Sequence, residues 1–325
     1  MPIKDSLIIF ILLSACSTTF VHKENTKKYD LVVAQDGPGD FRTVQEAITA
    51  VRDASKKATV IFIKKGIYKE KLTIPASKIN VTFVGEDVDK VILTYDDYAS
   101  KKNDKGNNIG TSGSSSFFVY GDGFVAKNIT FENSSGPVGQ AVAIRVSADR
   151  VKFLNCKFLG AQDTLYAHGN GLESRQYYNN CYIEGTTDFI FGAATAVFEN
   201  CTIHCKNGGQ YITAANTPKE APFGFVFLHC NITGDDGVSY YLGRPWGDFA
   251  RTAFLYCKFP SFIKPEGWHN WGRTEAEKTV YYAEFKNTTA VGAIKKRVVW
   301  AHQLTAEQAS KYTVKHIFGD WNANN

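Results

Sequence analysis

The chain has 325 residues, of which 44% are hydrophobic and 21% are charged, and its formal net charge is +5 at pH 7. This composition supplies enough apolar side chains for a large core and excludes an intrinsically disordered polymer. No run of about 20 apolar residues is present, which excludes a membrane-spanning helix. The sequence also lacks the basic stripe and the motifs typical of nucleic-acid binding.

The first predicted element is an export signal. Lys4 precedes an apolar run at 7–13, and the small residues Ser14 and Ala15 follow it. This order of a basic, an apolar and a small-residue region is that of a secretory signal, so we predict that residues 1–15 are removed.

The end of this signal also resembles the lipobox of bacterial lipoproteins. In Leu13-Ser14-Ala15-Cys16 the cysteine occupies the position that is lipidated in such proteins, and we predict lipidation of Cys16. Ordinary cleavage near Ala15 is the alternative, which would give a secreted protein. Ser17 favours the outer membrane of a Gram-negative cell by the same resemblance. We predict a polar tether over 16–28 and one domain over 29–325.

The opening and closing segments of that domain show short periodic elements. Residues 29–35 and 59–63 read as strands, and apolar residues at helical spacing follow Asp40, which we predict as the cap of an amphipathic helix over the first coil. The polar stretch 95–116 is predicted as a long loop, and 306–312 as a short helical segment.

Between these segments a cysteine-centred unit repeats, with copies at Cys156, Cys181, Cys201, Cys230 and Cys257. Each copy has an aromatic residue three positions before the cysteine and alternates apolar and polar residues, which is typical of strands. The interval between copies is that of one coil in a solenoid, whose coils bury one another's apolar faces. We therefore predict an all-β, right-handed parallel β-helix.

Equivalent residues of adjacent coils should stack in columns about 4.8 Å apart. The five cysteines would form one inward column, with Cys205 outside it. Disulfides are the competing interpretation for an exported protein, but one column of five gives poor pairing, and we predict free buried thiols.

The same repeat brings two carboxylates together. Asp163 lies seven residues after Cys156, and Asp188 lies seven residues after Cys181. Two carboxylates about 5 Å apart beside aromatic residues cannot both ionise easily, so one should become a proton donor and the other a nucleophile. The alternative is a pair of outward aspartates in contact with water.

Further residues favour a catalytic site at this pair. Gln162 adjoins Asp163, and Gln140 lies about one coil earlier, so two amide donors could stabilise an oxyanion. Arg244 could hold one aspartate ionised by a bidentate contact. Flat surfaces for sugar rings could come from aromatic residues that would otherwise pack in the core, namely Tyr166, Phe191, Trp246 and Trp271.

Other catalytic templates do not occur in the sequence. It contains no Gly-x-Ser-x-Gly, His-Glu-x-x-His, P-loop or Gly-x-Gly-x-x-Gly motif. His168 is a weaker candidate base, because paired aspartates need no imidazole.

Five segments in order resemble the signature blocks of pectin methylesterases. They are Gly66-Ile-Tyr-Lys-Glu70, Gln140-Ala-Val-Ala143, Gln162-Asp-Thr-Leu165, Asp188-Phe-Ile-Phe-Gly192 and Leu242-Gly-Arg-Pro-Trp246. The resemblance implies a right-handed parallel β-helix and an esterase that needs no metal or organic cofactor.

By position, the resemblance implies that Asp188 is the nucleophile and that Asp163 is the acid and then the base. Gln162, assisted by Gln140, would stabilise the tetrahedral intermediate. Arg244 and Trp246 match substrate-site positions, and Thr111 matches a substrate-contacting threonine.

The implied partner is methyl-esterified pectin, and the products are methanol and a more acidic polymer; we predict a monomer. Three alternatives stay open: a lipoprotein thioesterase similar to this family, a β-helix that only binds acidic polysaccharide, and a pectate lyase, which would need clustered acids to hold Ca²⁺.

Overall fold

The computed structural model describes residues 28–289 and 296–324. The predicted signal peptide, Cys16 and the tether up to residue 27 lie outside the described residues. Among the described residues, no helix is long and apolar enough to cross a membrane.

Three parallel sheets run along the molecule, and successive coils add strands to each sheet. Numbered along the chain, the strands of the first sheet are β1 (Leu31–Val33), β2 (Thr59–Ile63), β5 (Val81–Gly85), β8 (Val125–Lys127), β11 (Val151–Leu154), β14 (Arg175–Asn179), β17 (Thr195–Glu199), β20 (Phe225–Leu228), β23 (Arg251–Leu255), β25 (Tyr281–Phe285) and β27 (His302–Gln303). The second sheet contains β3 (Gly66–Lys69), β6 (Val91–Tyr95), β9 (Thr130–Asn133), β12 (Lys157–Leu159), β15 (Tyr182–Gly185), β18 (Thr202–Cys205), β21 (Asn231–Gly234), β24 (Lys258–Phe259) and β26 (Thr288–Thr289). The third contains β4 (Leu72–Ile74), β7 (Phe117–Val119), β10 (Ile144–Val146), β13 (Leu165–Ala167), β16 (Thr187–Gly192), β19 (Tyr211–Ala215) and β22 (Tyr241–Pro245). The predicted parallel β-helix is confirmed.

The core consists of columns of like residues, as the repeat predicts. The aromatic residue three positions before each cysteine stacks on its neighbour in the next coil; Tyr178 and Phe198, for example, have ring centroids 4.6 Å apart and an angle of 12° between planes. The cysteines of the column are buried free thiols, as is Cys205. The prediction of unpaired thiols is thus confirmed for the described cysteines.

The residue before each cysteine explains why asparagine recurs in the motif. Asn155, Asn180 and Asn200 have φ of 53°, 53° and 55°, in the left-handed region that asparagine tolerates better than most residues. This residue turns the chain sharply from the first sheet into the second, so each coil bends at the same point.

A short helix, α1 (Val44–Ala50), packs against β1 and β4, the end strands of the first and third sheets. It buries Val44, Ala47 and Ile48. The prediction that Asp40 caps it was wrong: the cap is Thr43, because Glu46 three residues later completes a capping box with it. The Asp40 carboxylate instead accepts a hydrogen bond from the backbone N–H of Val32 at 2.8 Å.

The helical segment predicted over 306–312 is present as α2 (Ala306–Ala309), and a second helix that was not predicted, α3 (Val314–Phe318), follows it. Both helices pack on the outer face of the first sheet. Short 3-10 helices occupy Thr111–Gly113 and Thr274–Lys278. The first of these lies in the predicted long loop, which connects β6 to β7.

Candidate active site

Both aspartates lie on the third sheet in adjacent coils. Asp188 is in β16, Asp163 lies two residues before β13, and the register that pairs Tyr166 with Phe191 aligns the backbones of the two aspartates. The backbone N–H of Asp163 donates to the carbonyl of Thr187 at 3.1 Å. Each aspartate is only 5% exposed. The predicted juxtaposition is therefore present, and the alternative of a water-exposed aspartate pair is wrong.

The two aspartates share an unusual backbone conformation. Their φ angles are 66° for Asp163 and 52° for Asp188, and residues other than glycine rarely adopt this left-handed region away from turns and functional sites. Equal conformations on adjacent coils give the two side chains the same direction, into one cavity that both of them line.

Arg244 holds Asp188 by a bidentate ion pair. Its Nε donates to Oδ1 at 2.9 Å and its Nη2 donates to Oδ2 at 2.6 Å. Arg244 reaches Asp188 from β22, two strands beyond β16 in the third sheet. The guanidinium carbon lies 3.6 Å from the ring centroid of Trp271 and 4.1 Å from that of Tyr211, so the two rings fix its position.

Burial and charge separate the two carboxyl groups electrostatically. Burial raises the pKa of Asp163 well above its usual range, the negative charge of Asp188 raises it further, and Arg244 opposes this rise. Burial also raises the pKa of Asp188, but the hydrogen bonds and charge of Arg244 oppose that rise directly. Asp163 thus retains its proton to a higher pH than Asp188 does, which suits an acid beside an ionised nucleophile.

Aromatic residues form much of the cavity around the pair. The cavity has a volume of about 150 Å³, and it is lined by Thr111, Ser112, Asp163, Tyr166, Asp188, Phe191, Ala214, Trp246 and Trp271. Tyr166 and Phe191 stack with centroids 4.2 Å apart and an interplanar angle of 12°. Trp246 and Trp271 are 40% and 37% exposed, so they present rings to anything that enters.

The predicted glutamines lie beside the cavity, although neither is among the residues that line it. Their backbones pair as an isolated parallel bridge, and Gln162 directly precedes Asp163. Across the described ranges, the side-chain amide of neither Gln140 nor Gln162 makes a hydrogen bond to protein. Both amides therefore keep N–H donors for a substrate oxygen.

The sequence analysis did not predict three residues near the site, Ser112, Ala214 and Tyr211. Ser112 could have been found as the neighbour of Thr111, and Ala214 as the strand partner of Phe191 in the next coil. Tyr211, which lies against Arg244, had no signal of its own, because one tyrosine among 16 is not distinctive.

A larger hollow elsewhere contains none of the predicted site residues. It measures about 470 Å³ and is lined largely by polar and charged residues, including Asp149, Arg175 and Asp320. Three of its charged groups are joined in ion pairs, since Arg175 bonds both Asp149 and Asp320. The described part of the chain holds no group of three or more His, Cys, Asp or Glu side chains placed to bind a metal ion.

Comparison with known proteins agrees with this fold. The family model described as Pectinesterase matches residues 30–320. Pectinesterase 31 of Arabidopsis thaliana is 42% identical over 294 residues, covering 89% of this chain and 91% of that protein. Other relatives are longer: the chain spans 49% of a probable pectinesterase/pectinesterase inhibitor of the same plant, number 13, at 40% identity.

Solved structures show the same likeness. Pectin methylesterase from carrot superposes with a TM-score of 0.82 at 35% identity, covering 92% of this chain and 96% of the carrot chain. A pectin methylesterase in complex with a hexasaccharide superposes with a TM-score of 0.78 at 28% identity, covering 91% of this chain and 98% of that chain.

The fold and the site together define a carboxylic ester hydrolase built on a parallel β-helix. The chain belongs to the pectinesterase family. Its activity is the removal of methyl esters from pectin, and this finding favours the esterase interpretation over a thioesterase, a polysaccharide-binding protein without activity, and a pectate lyase.

Proposed function

We propose that Asp188 is the nucleophile and Asp163 the acid and base in the hydrolysis of galacturonate methyl esters. The observation that carries this assignment is the bidentate ion pair from Arg244 to Asp188. Within the described ranges, Asp163 has no such cationic partner. The two carboxyls thus differ in protonation at one pH, as the two roles require.

In the first half-reaction an Asp188 oxygen attacks the C6 carbonyl carbon of the ester. The carbonyl oxygen becomes an oxyanion, to which the amide groups of Gln162 and Gln140 donate hydrogen bonds. The tetrahedral intermediate collapses, the bond to the methoxy oxygen breaks, and Asp163 donates its proton to that oxygen. Methanol leaves, and a covalent acyl-enzyme is left on Asp188.

In the second half-reaction Asp163, now ionised, accepts a proton from water. The resulting hydroxide attacks the same carbonyl carbon, and the bond to Asp188 breaks. The product is a galacturonate carboxyl group, Asp188 is again a carboxylate, and Asp163 again carries its proton. Each cycle consumes one water and needs no metal or other cofactor.

We propose that the aromatic residues bind the sugar rings of methyl-esterified pectin. Stacked Tyr166 and Phe191 form the cavity wall, while the exposed rings of Trp246 and Trp271 flank it. Flat apolar ring faces suit the C–H faces of sugars. Thr111 lines the same cavity, and we expect it to contact the substrate.

The proposal is tested by assaying methanol release from methyl-esterified pectin, with and without a chelator, while ultraviolet absorbance is followed. We expect methanol at the same rate in both conditions and no new absorbance. Absorbance that rises and depends on Ca²⁺ would indicate lyase chemistry, and pectin binding without methanol would show that the protein only binds the polymer.

We also propose that residues 1–15 direct export, that Cys16 carries a lipid anchor to the outer membrane, and that 16–28 tether a single monomeric domain over 29–325. The support is the order of Leu13, Ser14, Ala15 and Cys16. Expression in a Gram-negative host should give a membrane-bound protein that becomes soluble when Cys16→Ser is introduced. Recovery of the wild type in the soluble fraction would contradict the anchor.

A further inference from the structure

The corner between the first and second sheets carries two aromatic rings at its turns. Three of the five cysteine-centred copies have asparagine directly before the cysteine, and the last two have His229 and Tyr256 there. Their φ angles of 55° and 57° lie in the same left-handed region as those of the asparagines. Histidine enters this region more often than most residues do, whereas a bulky tyrosine there is an outlier. A side chain kept in an unfavourable backbone conformation points to a function for that side chain.

The two rings stack on each other at the protein surface. Their centroids are 5.1 Å apart and their planes differ by 8°. His229 is exposed, and Tyr256 is 42% exposed. Across the described part of the chain, neither the Tyr256 hydroxyl nor a ring nitrogen of His229 makes a hydrogen bond to protein. The stack therefore combines exposed ring surface with available polar atoms, which suits the C–H groups and hydroxyls of a sugar.

Positive charge lies beside this stack. Lys286 occupies the same turn position one coil beyond Tyr256, and its Nζ is 5.4 Å from the ring centroid of Phe285. The Tyr256 ring is also 5.4 Å from that of Phe285. Lys258 is exposed two residues after Tyr256, in β24. Neither lysine forms an ion pair with any carboxylate that the structure describes, so both charges can attract an anion. We name the following four residues the corner site: His229, Tyr256, Lys258 and Lys286.

We propose that the corner site binds de-esterified galacturonan at a distance from the catalytic residues. The rings pack against the sugars, and the lysines pair with the free carboxylates that each turnover creates. The corner site contains none of the residues that line the active-site cavity. It lies between the first and second sheets, whereas both aspartates lie on the third. Product polymer can therefore bind the enzyme without occupying the cavity.

This second contact has a consequence for the reaction on long polymers. Galacturonan held at the corner site keeps the enzyme close to the esters that remain on the same polymer, which raises their effective concentration at the cavity. Only a polymer that already carries free carboxylates gains from this contact. A short, fully methylated oligosaccharide does not, because it offers no carboxylate to the lysines. The inference goes beyond the proposed catalytic roles and does not depend on them.

The test measures retardation of the protein in native gels that contain fully de-esterified homogalacturonan, with Tyr256→Asn compared to wild type. We expect the Kd to rise about three- to tenfold, as for loss of one aromatic contact. Asparagine tolerates the left-handed conformation, which offsets the lost ring contacts, so the Tm should stay within about 2 °C of the wild-type value. The kcat and KM for a methyl-esterified trisaccharide should not change.

His302→Asn is the matched control. His302 is also exposed and also stacks on a tyrosine, Tyr281, with centroids 4.4 Å apart, but it lies at the end of the first sheet. Its replacement should leave the Kd unchanged. An unchanged Kd in Tyr256→Asn, or equal losses in the two variants, would overturn the corner site.

If Tyr256→Asn does not fold, Lys286→Gln decides, with Lys127→Gln as its control. Lys127 is likewise exposed, but it lies in β8 of the first sheet. At low ionic strength the Kd should rise about threefold in Lys286→Gln and stay unchanged in Lys127→Gln, and added salt should remove the difference. No rise in Lys286→Gln, or the same rise in both variants, would overturn the proposal. A wild type that is retarded but releases no methanol would refute the proposed function and support the corner site.

Discussion

Arg244 and Asp188 are joined by two parallel hydrogen bonds, of 2.9 Å from Nε and 2.6 Å from Nη2. The contact crosses from β22 to β16 and fixes both the orientation and the charge of the carboxylate. Asp163 lies in the same cavity and has no equivalent contact in the described ranges. The difference between two otherwise similar aspartates therefore originates in the placement of one arginine.

Arg244→Lys should slow the enzyme and change its response to acid. Lysine keeps the positive charge but loses the bidentate geometry, so the pKa of Asp188 should rise further. We expect kcat/KM to fall about a hundredfold and the acid limb of its pH profile to move to higher pH. The check is a pH–rate profile of methanol release.

Arg175→Lys provides the control for that experiment. Arg175 makes the same bidentate contact to Asp149, at 3.0 and 2.7 Å, but outside the active-site cavity. Arg175→Lys should leave the acid limb of the pH profile unchanged. Equal losses of kcat/KM in the two variants, or an unchanged acid limb in Arg244→Lys, would contradict a role of the ion pair in catalysis.

Asp163→Asn should separate the two half-reactions. Asparagine tolerates the left-handed conformation of this residue but can neither protonate methanol nor activate water. On the methyl ester we expect a loss of about 10²- to 10⁴-fold. On a galacturonate ester of a more acidic alcohol, which leaves without protonation, we expect a burst of one alcohol per enzyme followed by slow turnover, measured by rapid quench. Absence of any burst would mean that Asp163 is needed before the acyl-enzyme forms.

The same substitution should change how stability depends on pH. The pKa of Asp163 is raised in the folded protein, chiefly by burial, so its contribution to stability is present below its unfolded pKa and is lost as pH rises through the folded value. Asp163→Asn cannot ionise and escapes this loss. Its Tm relative to wild type should therefore increase by a few degrees between about pH 4 and pH 9. A constant difference in Tm across that range would show that the pKa of Asp163 is not raised in the folded protein.

Gln162→Ala should act on the rate and not on substrate binding. If the amide donates to the oxyanion, kcat falls about 10²- to 10³-fold while KM changes little. Gln303→Ala is the control, because Gln303 is exposed at the end of the first sheet. A rise in KM with unchanged kcat would place Gln162 in ground-state binding instead.

The β-helix and the aspartate pair were predictable because the repeat is visible in the sequence. The interval from Asp163 to Asp188 equals that from Cys156 to Cys181, so the cysteine spacing predicts which residues of adjacent coils align. In the next coil the cysteine spacing no longer predicts this alignment. The interval from Cys181 to Cys201 is shorter than the interval from Phe191 to its strand partner Ala214. The register also shifts in this coil, between Thr187 and Ile190.

That change in coil length explains what the sequence could not predict. Turns between sheets differ in length from coil to coil, so cross-coil partners such as Tyr211 beneath Arg244 cannot be read from spacing. The helix cap at Thr43 was predictable, because Glu46 three residues later completes a capping box. We predicted Asp40 instead, because aspartate is also a common cap residue.

Methanol release by Asp188→Asn decides whether Asp188 is the nucleophile. The substitution keeps the size of the side chain and suits the local backbone, but it removes the nucleophilic carboxylate. With methyl-esterified homogalacturonan as substrate, and circular dichroism and Tm used to verify folding, we expect no methanol above background and no alcohol burst. Methanol release at close to the wild-type rate by the folded variant would contradict this role of Asp188.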